Sequence, residues 1–453
     1  MRVLIIGAGE VGYHTALRLS RENHRVVLVD QDPEKIKAVN EQMDVQTLVG
    51  KGSSPAALLA AGVREAELVV AVTDSDEVNM TACRFAQALA PAVTKVARIR
   101  SMDYLHFFEE HDPRQFGVDL VINPEREVAN QIMQLIYVPA ANSVADFAGG
   151  KVKLLGLRAP VTSPILKRPL HELRMSEGSR FLVAAIERDG EVIIPRGDDH
   201  LRADDRAYVV VREDMINEVM EFFSLRNEPV RKLVVVGGGA IGRLVAERAQ
   251  RRDIKARVIE KDEDRCQMLV DQLDDVIVLH GDGTDMSLLR EENIGAADVF
   301  AAVTDDEEDN VLIALMGKKM GARRTVARVA HMGYVPLVSS LGIDLVVSPR
   351  FAAVGAILRY LRRGKVLAVS ALRDEGAEVI EVEAQATSAM VGKPLAQVKM
   401  PSGALVAAVV RGEEVEIPNG QTVINPGDRM VIFMLTKVLS KVEKLLTVSL
   451  EYF

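Results

Sequence analysis

Gly7, Gly9 and Gly12 follow the β-branched run Val3–Ile6 with the spacing of a turn that cradles a pyrophosphate. Each glycine meets a physical need. Gly7 permits the tight turn, Gly9 lets a phosphate approach the backbone, and Gly12 lets the next helix pack close to the sheet. Ala8, Glu10 and Val11 complete the stretch, and the N–H groups of Glu10 and Val11 are expected at the positive end of that helix. Asp30 ends the second apolar run. A carboxylate there accepts hydrogen bonds from ribose hydroxyls and repels a 2′-phosphate, which fits NAD(H) or ATP/ADP rather than NADP. Thr73 and Asp74 end the fourth run, at the sheet edge where ligands bind; Thr73 is a candidate donor to the nucleotide, and Asp74 fits a ligand role or a helix cap equally. Arg98 ends the fifth run, where either a phosphate contact or an ion pair at a subunit contact suits a guanidinium.

The same set occurs again. Gly237, Gly238, Gly239, Ala240, Ile241 and Gly242 repeat the turn, Glu260 takes the place of Asp30, and Thr304, Asp305 and Arg328 repeat Thr73, Asp74 and Arg98. "AVTDSDEVN" (Ala71–Asn79) returns as "AVTDDEEDN" (Ala302–Asn310), and "GVDLVINP" (Gly117–Pro124) as "GIDLVVSP" (Gly342–Pro349). The order never breaks, so the chain is a duplication of a unit about half its length.

Each unit has two parts. The first alternates short apolar runs ("VLII", "RVVLVD", "VQTLV", "LVVAVT", "KVARI", "DLVIN") with amphipathic helical segments, which predicts a parallel sheet covered on both faces. In the second segment Ile36, Val39, Asn40 and Met43 have helical spacing, with Pro33 in the first turn. Val128, Ile132, Leu135 and Ile136 mark one face of a further helix that ends before Pro139. A short β-rich module follows, with Asp189-Gly190 as a hairpin signal and "RGEEVEIP" (Arg411–Pro418) as its counterpart. The fold class is thus α/β: two Rossmann-type doubly wound domains, each followed by a small α+β lobe. The expected divisions are residues 1–123, a connecting helix 124–140, a small lobe 141–225, a second Rossmann lobe 226–348, a second connecting helix 349–365, and a small lobe 366–453, with the linker Ser224–Arg231 between the copies.

Composition excludes several classes. The 453 residues are too many for one core. A net charge of -9 with dispersed Lys and Arg argues against a nucleic-acid partner. Trp is absent, and apolar runs such as Ala404–Val410 fall short of the ~18 residues of a membrane span, so contact with a membrane is expected only through another protein. Arg2 leads directly into strand-like sequence, which predicts no secretory signal. Cys83 and Cys266 lie outside any C-x-x-C or zinc-type spacing and read as reduced thiols on helices of a cytosolic protein. No metal site is expected. His14, His24, His106, His111 and His280 do not converge, and G-x-S-x-G, P-loop and H-E-x-x-H motifs are absent. No catalytic residues are expected, because neither small lobe offers a clustered acid, base and nucleophile to stand beside a nicotinamide.

The glycine turn, ribose acid, "AVTD", "VAR" and "DLVI-P", followed by a β-rich module and repeated twice, resemble the TrkA family of peripheral regulatory subunits of bacterial Trk potassium uptake systems. The units look like RCK (KTN) domains, and the likeness spans essentially the whole chain. It implies binding of NAD(H) and adenine nucleotides, homo-oligomeric assembly (dimer or tetramer) into a ring, a cytoplasmic location at the inner face of the membrane, and gating of a membrane partner of the TrkH type. The first site it implies is Gly7 to Val11, Asp30, Thr73, Asp74 and Arg98; the second is Gly237 to Ile241, Glu260, Thr304, Asp305 and Arg328. One departure stands out. Copy two has "GDGT" (Gly281–Thr284) after its third strand, whereas copy one has "GKGS" with Lys51, so different nucleotide preferences or affinities are expected. An NAD-dependent oxidoreductase and a scaffold with degenerate sites are the competing readings.

Overall fold

The computed structural model describes residues 1–21, 24–173, 181–361, 366–371 and 376–446. The expected end of the second connecting helix at 362–365 and the last seven positions of the expected final lobe, 447–453, lie outside them.

The chain begins β1 (Arg2–Ile6), α1 (Glu10–Arg21), β2 (Arg25–Asp30), α2 (Pro33–Gln42), β3 (Gln46–Val49), α3 (Pro55–Ala60), β4 (Leu68–Ala71), α4 (Asp76–Leu89), β5 (Thr94–Arg98), α5 (Met102–Glu110), β6 (Leu120–Ile122) and α6 (Pro124–Tyr137). The first small lobe comprises β7 (Ser143–Phe147), β8 (Val152–Leu157), β9 (Phe181–Arg188), β10 (Glu191–Ile193), β11 (Arg206–Arg212) and α7 (Ile216–Phe222). The second copy repeats the first series as β12 (Lys232–Val236), α8 (Ala240–Gln250), β13 (Lys255–Glu260), α9 (Glu263–Gln272), β14 (Val276–His280), α10 (Met286–Glu291), β15 (Val299–Ala302), α11 (Glu307–Met320), β16 (Arg324–Arg328), α12 (Val335–Ser340), β17 (Leu345–Val347) and α13 (Pro349–Leu361). It closes with β18 (Val366–Ala371), β19 (Ala377–Glu383), β20 (Ala404–Arg411), β21 (Glu414–Glu416), β22 (Arg429–Leu435) and α14 (Leu439–Leu446).

Contacts divide the chain into two compact units, one of residues 1–132 and 232–361, the other of 133–231 and 362–453. The first unit holds both Rossmann sheets, in the orders β3-β2-β1-β4-β5-β6 and β14-β13-β12-β15-β16-β17. Every pairing is parallel. Strand alternation sends Val3, Ile5, Val26, Leu28 and Val70 to one face and Leu4, Ile6, Val27, Val29 and Val69 to the other, so both faces need helical cover. α2 shows the local logic: Asp32 caps it by accepting from Glu34 N, Pro33 fills the first turn, and Ile36 and Val39 are buried. Asn40, read as part of that apolar face, is exposed, and its Oδ1 accepts from Thr47 Oγ1 at 2.9 Å.

The last helix of this unit has an unexpected destination. α13 belongs to copy two, yet Ala353, Val354, Ala356 and Ile357 join the core of copy one beside Val11, Ala16 and Leu19 of α1. In the reciprocal direction Arg248 of α8 donates to Asn130 Oδ1 of α6 at 2.7 Å. Val128, Ile132, Leu135 and Ile136 of α6 are all buried.

The second unit contains two five-stranded antiparallel sheets, ordered β10-β9-β11-β8-β7 and β18-β19-β22-β20-β21. Asp189 (φ +52°) and Gly190 (φ +81°) form the two-residue turn of the β9–β10 hairpin, where positive φ at both positions matches the strand twist. One shared core joins the sheets, with Phe147, Leu154 and Tyr208 against Val379, Ala408 and Phe433. Glu381 accepts from Ala148 N at 2.8 Å, and Lys151 pairs with Glu413 at 2.8 Å.

Candidate functional site

Because β1 pairs with both β2 and β4, the strand order reverses at β1, and the carboxyl ends open a crevice at that switch point. Gly7 has φ +107°, and a Cβ there would lie 2.9 Å from Thr73 N; a Cβ on Gly12 would lie 1.8 Å from Gly7 O. Gly9 differs, with nothing within 4 Å of its Cβ position. Two glycines close the turn and the middle one leaves it open to a ligand. Gly237 (φ +101°), Gly242 and Gly239 reproduce all three situations.

Asp30 ends β2, and its carboxylate is anchored to the turn. Oδ2 accepts from Ala8 N at 2.6 Å and Oδ1 from Asp32 N at 2.9 Å. Each oxygen keeps a second acceptor position for a ribose hydroxyl. Glu260 bonds Gly238 N at 2.7 Å and Asp262 N at 2.9 Å, but its longer side chain is drawn in to 4 % exposure, while Asp30 is half-buried. Arg265 lies 3.5 Å from Glu260. The two acids therefore hold equivalent bonds with unequal access.

At the end of β4, Thr73 Oγ1 donates to Asn79 Oδ1 at 2.7 Å, so the hydroxyl read as a nucleotide donor already serves the fold. Asp74 does not cap α4: Ser75 does, accepting from Val78 N at 3.2 Å. In copy two Asp306 caps α11 rather than Asp305. Asp74 and Asp305 are left exposed and pair with Arg98 at 3.5 Å and Arg328 at 2.8 Å. Arg98 thus has an acid within its own lobe, without a neighbouring subunit. Burial, reinforced by Arg100, lowers the Arg98 pKa from its ordinary value. The Nε atoms of Arg98 and Arg328 are both buried without a hydrogen-bond partner. A buried orphan donor at the same place in both copies fits a site that receives an acceptor from outside the chain.

Asn79 and Asn310 were not among the sequence candidates, yet they hold the crevice together. Asn79 Oδ1 accepts from Thr73 N at 2.8 Å, and Nδ2 donates to Thr73 O at 3.1 Å and Arg98 O at 2.8 Å, tying β4 to β5. Asn310 makes the corresponding bonds. Their signal was the repeated asparagine that ends both "AVTD" stretches. Two histidines have carboxylate partners: His14 is 3.5 Å from Glu10, and His331 bonds Glu307, which also accepts from Ala330 N at 2.7 Å. Asp282 is tied into its own loop, accepting from Thr284 N at 2.8 Å and Thr284 Oγ1 at 2.7 Å, and these bonds hold its pKa below the ordinary value. Lys51, in the equivalent loop, is exposed.

Cys83 and Cys266 are buried free thiols on α4 and α9, and burial pushes Cys83 up to about 12. Among the described residues no group of His, Cys, Asp and Glu is placed to hold a metal ion, and no helix is long and apolar enough to cross a membrane.

The TrkA-N domain family matches residues 3–124 and 233–349, and the TrkA-C domain family matches 154–224 and 379–447. The chain is 36% identical to the Trk system potassium uptake protein TrkA of Azorhizobium caulinodans and 37% identical to that of Halomonas elongata, each alignment covering 100% of both proteins. Among solved structures it resembles the GsuK channel bound to NAD (TM-score 0.62, 18% identity, 98% of this chain and 78% of that one). It also resembles GsuK bound to ADP (TM-score 0.51, 16% identity, 80% of this chain and 70% of that one).

Proposed function

This chain belongs to the TrkA family, and on that premise we propose that it is a non-catalytic regulatory subunit that binds nucleotides and gates a membrane potassium transporter of the TrkH type. It works from the cytoplasmic face, as a homo-oligomeric ring. NAD(H) is the ligand, with ATP or ADP as alternative or competing occupants. The observation that carries this reading is the paired crevice: each copy has an open middle glycine, an acid anchored to the turn, and a half-buried arginine whose buried Nε has no hydrogen-bond partner. The turn Gly7–Val11 takes phosphate, Asp30 takes ribose, and Arg98, with Asp74 and Thr73 fixing that edge, supplies charge. Gly237–Ile241, Glu260, Thr304, Asp305 and Arg328 do the same in copy two. A nicotinamide bound there would bring hydride chemistry, and the non-catalytic reading rests on the family rather than on the crevice, whose edges carry the Glu10–His14 and Glu307–His331 pairs.

Regulation needs a ligand that binds two conformations unequally. α6 and α13 are the elements suited to report occupancy, since each follows the last strand of a nucleotide lobe. The unequal exposure of Asp30 and Glu260 supports different affinities at the two sites. Calorimetric titration of the full chain with NADH, ATP and ADP tests the reading, together with potassium uptake in cells carrying the transporter. Saturable binding and nucleotide-site variants that alter uptake are expected. Failure of every nucleotide to bind would remove the sensor reading, and steady turnover of NADH with a small metabolite would favour an oxidoreductase.

A further inference from the structure

Glu10 is the first residue of α1, directly after the open Gly9, so it puts a carboxylate at the helix end proposed to receive phosphate, with His14 Nε2 3.5 Å from Oε2. Left alone, it would repel that ligand. Arg350 Nη1 lies 3.6 Å from Glu10 Oε2. Arg350 is not part of copy one: it is the second residue of α13, the helix that copy two lays against α1.

Three observations mark this placement as more than a surface ion pair. First, Arg350 stands in the first turn of α13, where the helix dipole disfavours a cation, and that turn contains no acid. Helix stability does not explain an arginine there. Second, Ser348, just before α13, is buried with a hydroxyl that has no hydrogen-bond partner, whereas its counterpart Asn123 accepts from Arg126 N at 2.6 Å and donates to Ile99 O at 2.9 Å. The start of α13 is therefore less internally satisfied than the start of α6. Third, the arrangement is one-sided. The residue matching Glu10 in copy two is Ala240, and the residue matching Arg350 in copy one is Glu125, which pairs with Arg100 at 3.4 Å. Copy one reaches no equivalent cation towards site two from this helix position.

We propose that Arg350 of the second copy completes the phosphate subsite of the first copy, exchanging Glu10 for a phosphate oxygen of the bound nucleotide. The inference rests on the proposed nucleotide site at Gly7–Val11. Arg350 balances Glu10 when the site is empty and contributes a donor when it is filled, so the charge of the ligand is read by a helix belonging to the other half of the duplication. Site one then discriminates by phosphate charge in a way that site two does not.

The test uses the full chain carrying Gly239→Asp, which places a carboxylate in the open position of site two so that site one alone reports. ADP and adenosine are titrated by calorimetry. Arg350→Ala should weaken ADP about tenfold, between the worth of an exposed ion pair and a charge-assisted hydrogen bond, and leave adenosine unchanged. Glu10→Gln should tighten ADP a few-fold, and the gain should be larger in the Arg350→Ala background, where the carboxylate is no longer balanced. The opposite signs keep the test open even if one variant folds poorly. ADP affinity within twofold of the parent in Arg350→Ala, or equal losses for ADP and adenosine, would overturn the inference while leaving the nucleotide site standing. Loss of all binding by the parent chain would overturn both.

Discussion

Replacing Asp30 with alanine separates the task its carboxylate performs in the fold from the one proposed for it, contact with a ribose. The side chain accepts from Ala8 N at 2.6 Å and Asp32 N at 2.9 Å, and Ala8 is only 8 % exposed. Charge-assisted bonds of this kind contribute about 1.5–3 kcal/mol each, and the half-buried setting argues for the lower end, so about 3 kcal/mol of stability should be lost. For a unit of this size that corresponds to a fall in Tm of roughly 6–12 °C. The remaining acceptor positions are those proposed for the ribose; losing two such bonds should weaken NADH binding at site one by about 10–100-fold. Asp30→Asn is the informative companion. It keeps one acceptor for the turn but presents an amide donor to the other backbone N–H, so an intermediate Tm and an intermediate affinity are expected. Thermal melts and calorimetric titration of both variants, with Glu260→Ala isolating site one, give the two readouts separately. NADH affinity within twofold of the parent would refute the ribose role even if Tm fell. An unmoved Tm would refute the role as anchor of the turn.

Asn79→Asp retains acceptors for Thr73 but sets a carboxylate against the carbonyls of Thr73 and Arg98, so urea titration should show a loss of about 3 kcal/mol or more; a loss under about 1 kcal/mol counts against the strand-tying role. Ile357→Ala removes a fully buried side chain that copy two contributes to copy one, and should cost about 2–5 kcal/mol, whereas an unchanged denaturation midpoint would mean that α13 does not complete that core. Burial lowers the His14 pKa from 6.5, against the opposing pull of Glu10 and with a smaller push from Arg350. As pH falls below 6.5 the unfolded chain takes up a proton that the folded chain resists, so this stability is held above 6.5 and lost as pH drops towards the folded value. Melting temperatures across that range should decline less steeply for His14→Gln than for the parent, and parallel curves would rule the contribution out.

The local pattern was sufficient for the sheets and the turns. Alternation and β-branching placed β1 to β6, the glycine spacing placed the tight turn between β1 and α1, and the ordered repetition of both revealed the second copy, because these features depend on neighbours in sequence. Asp30 was legible for the same reason, since the length of β2 and α1 fixes where that strand ends. What escaped were interactions between residues far apart in the chain. The hydroxyl of Thr73 is bound to Asn79 only because α4 folds back over β4. Capping went to Ser75 and Asp306 because the backbone turns one residue later than the acid suggested. Above all, the repeat marked α13 as the counterpart of α6 but carried no address for its apolar side chains. Those side chains pack on copy one, and so bring Arg350 to Glu10, because two lobes of one chain offer equivalent surfaces and only their packing selects which helix covers which sheet.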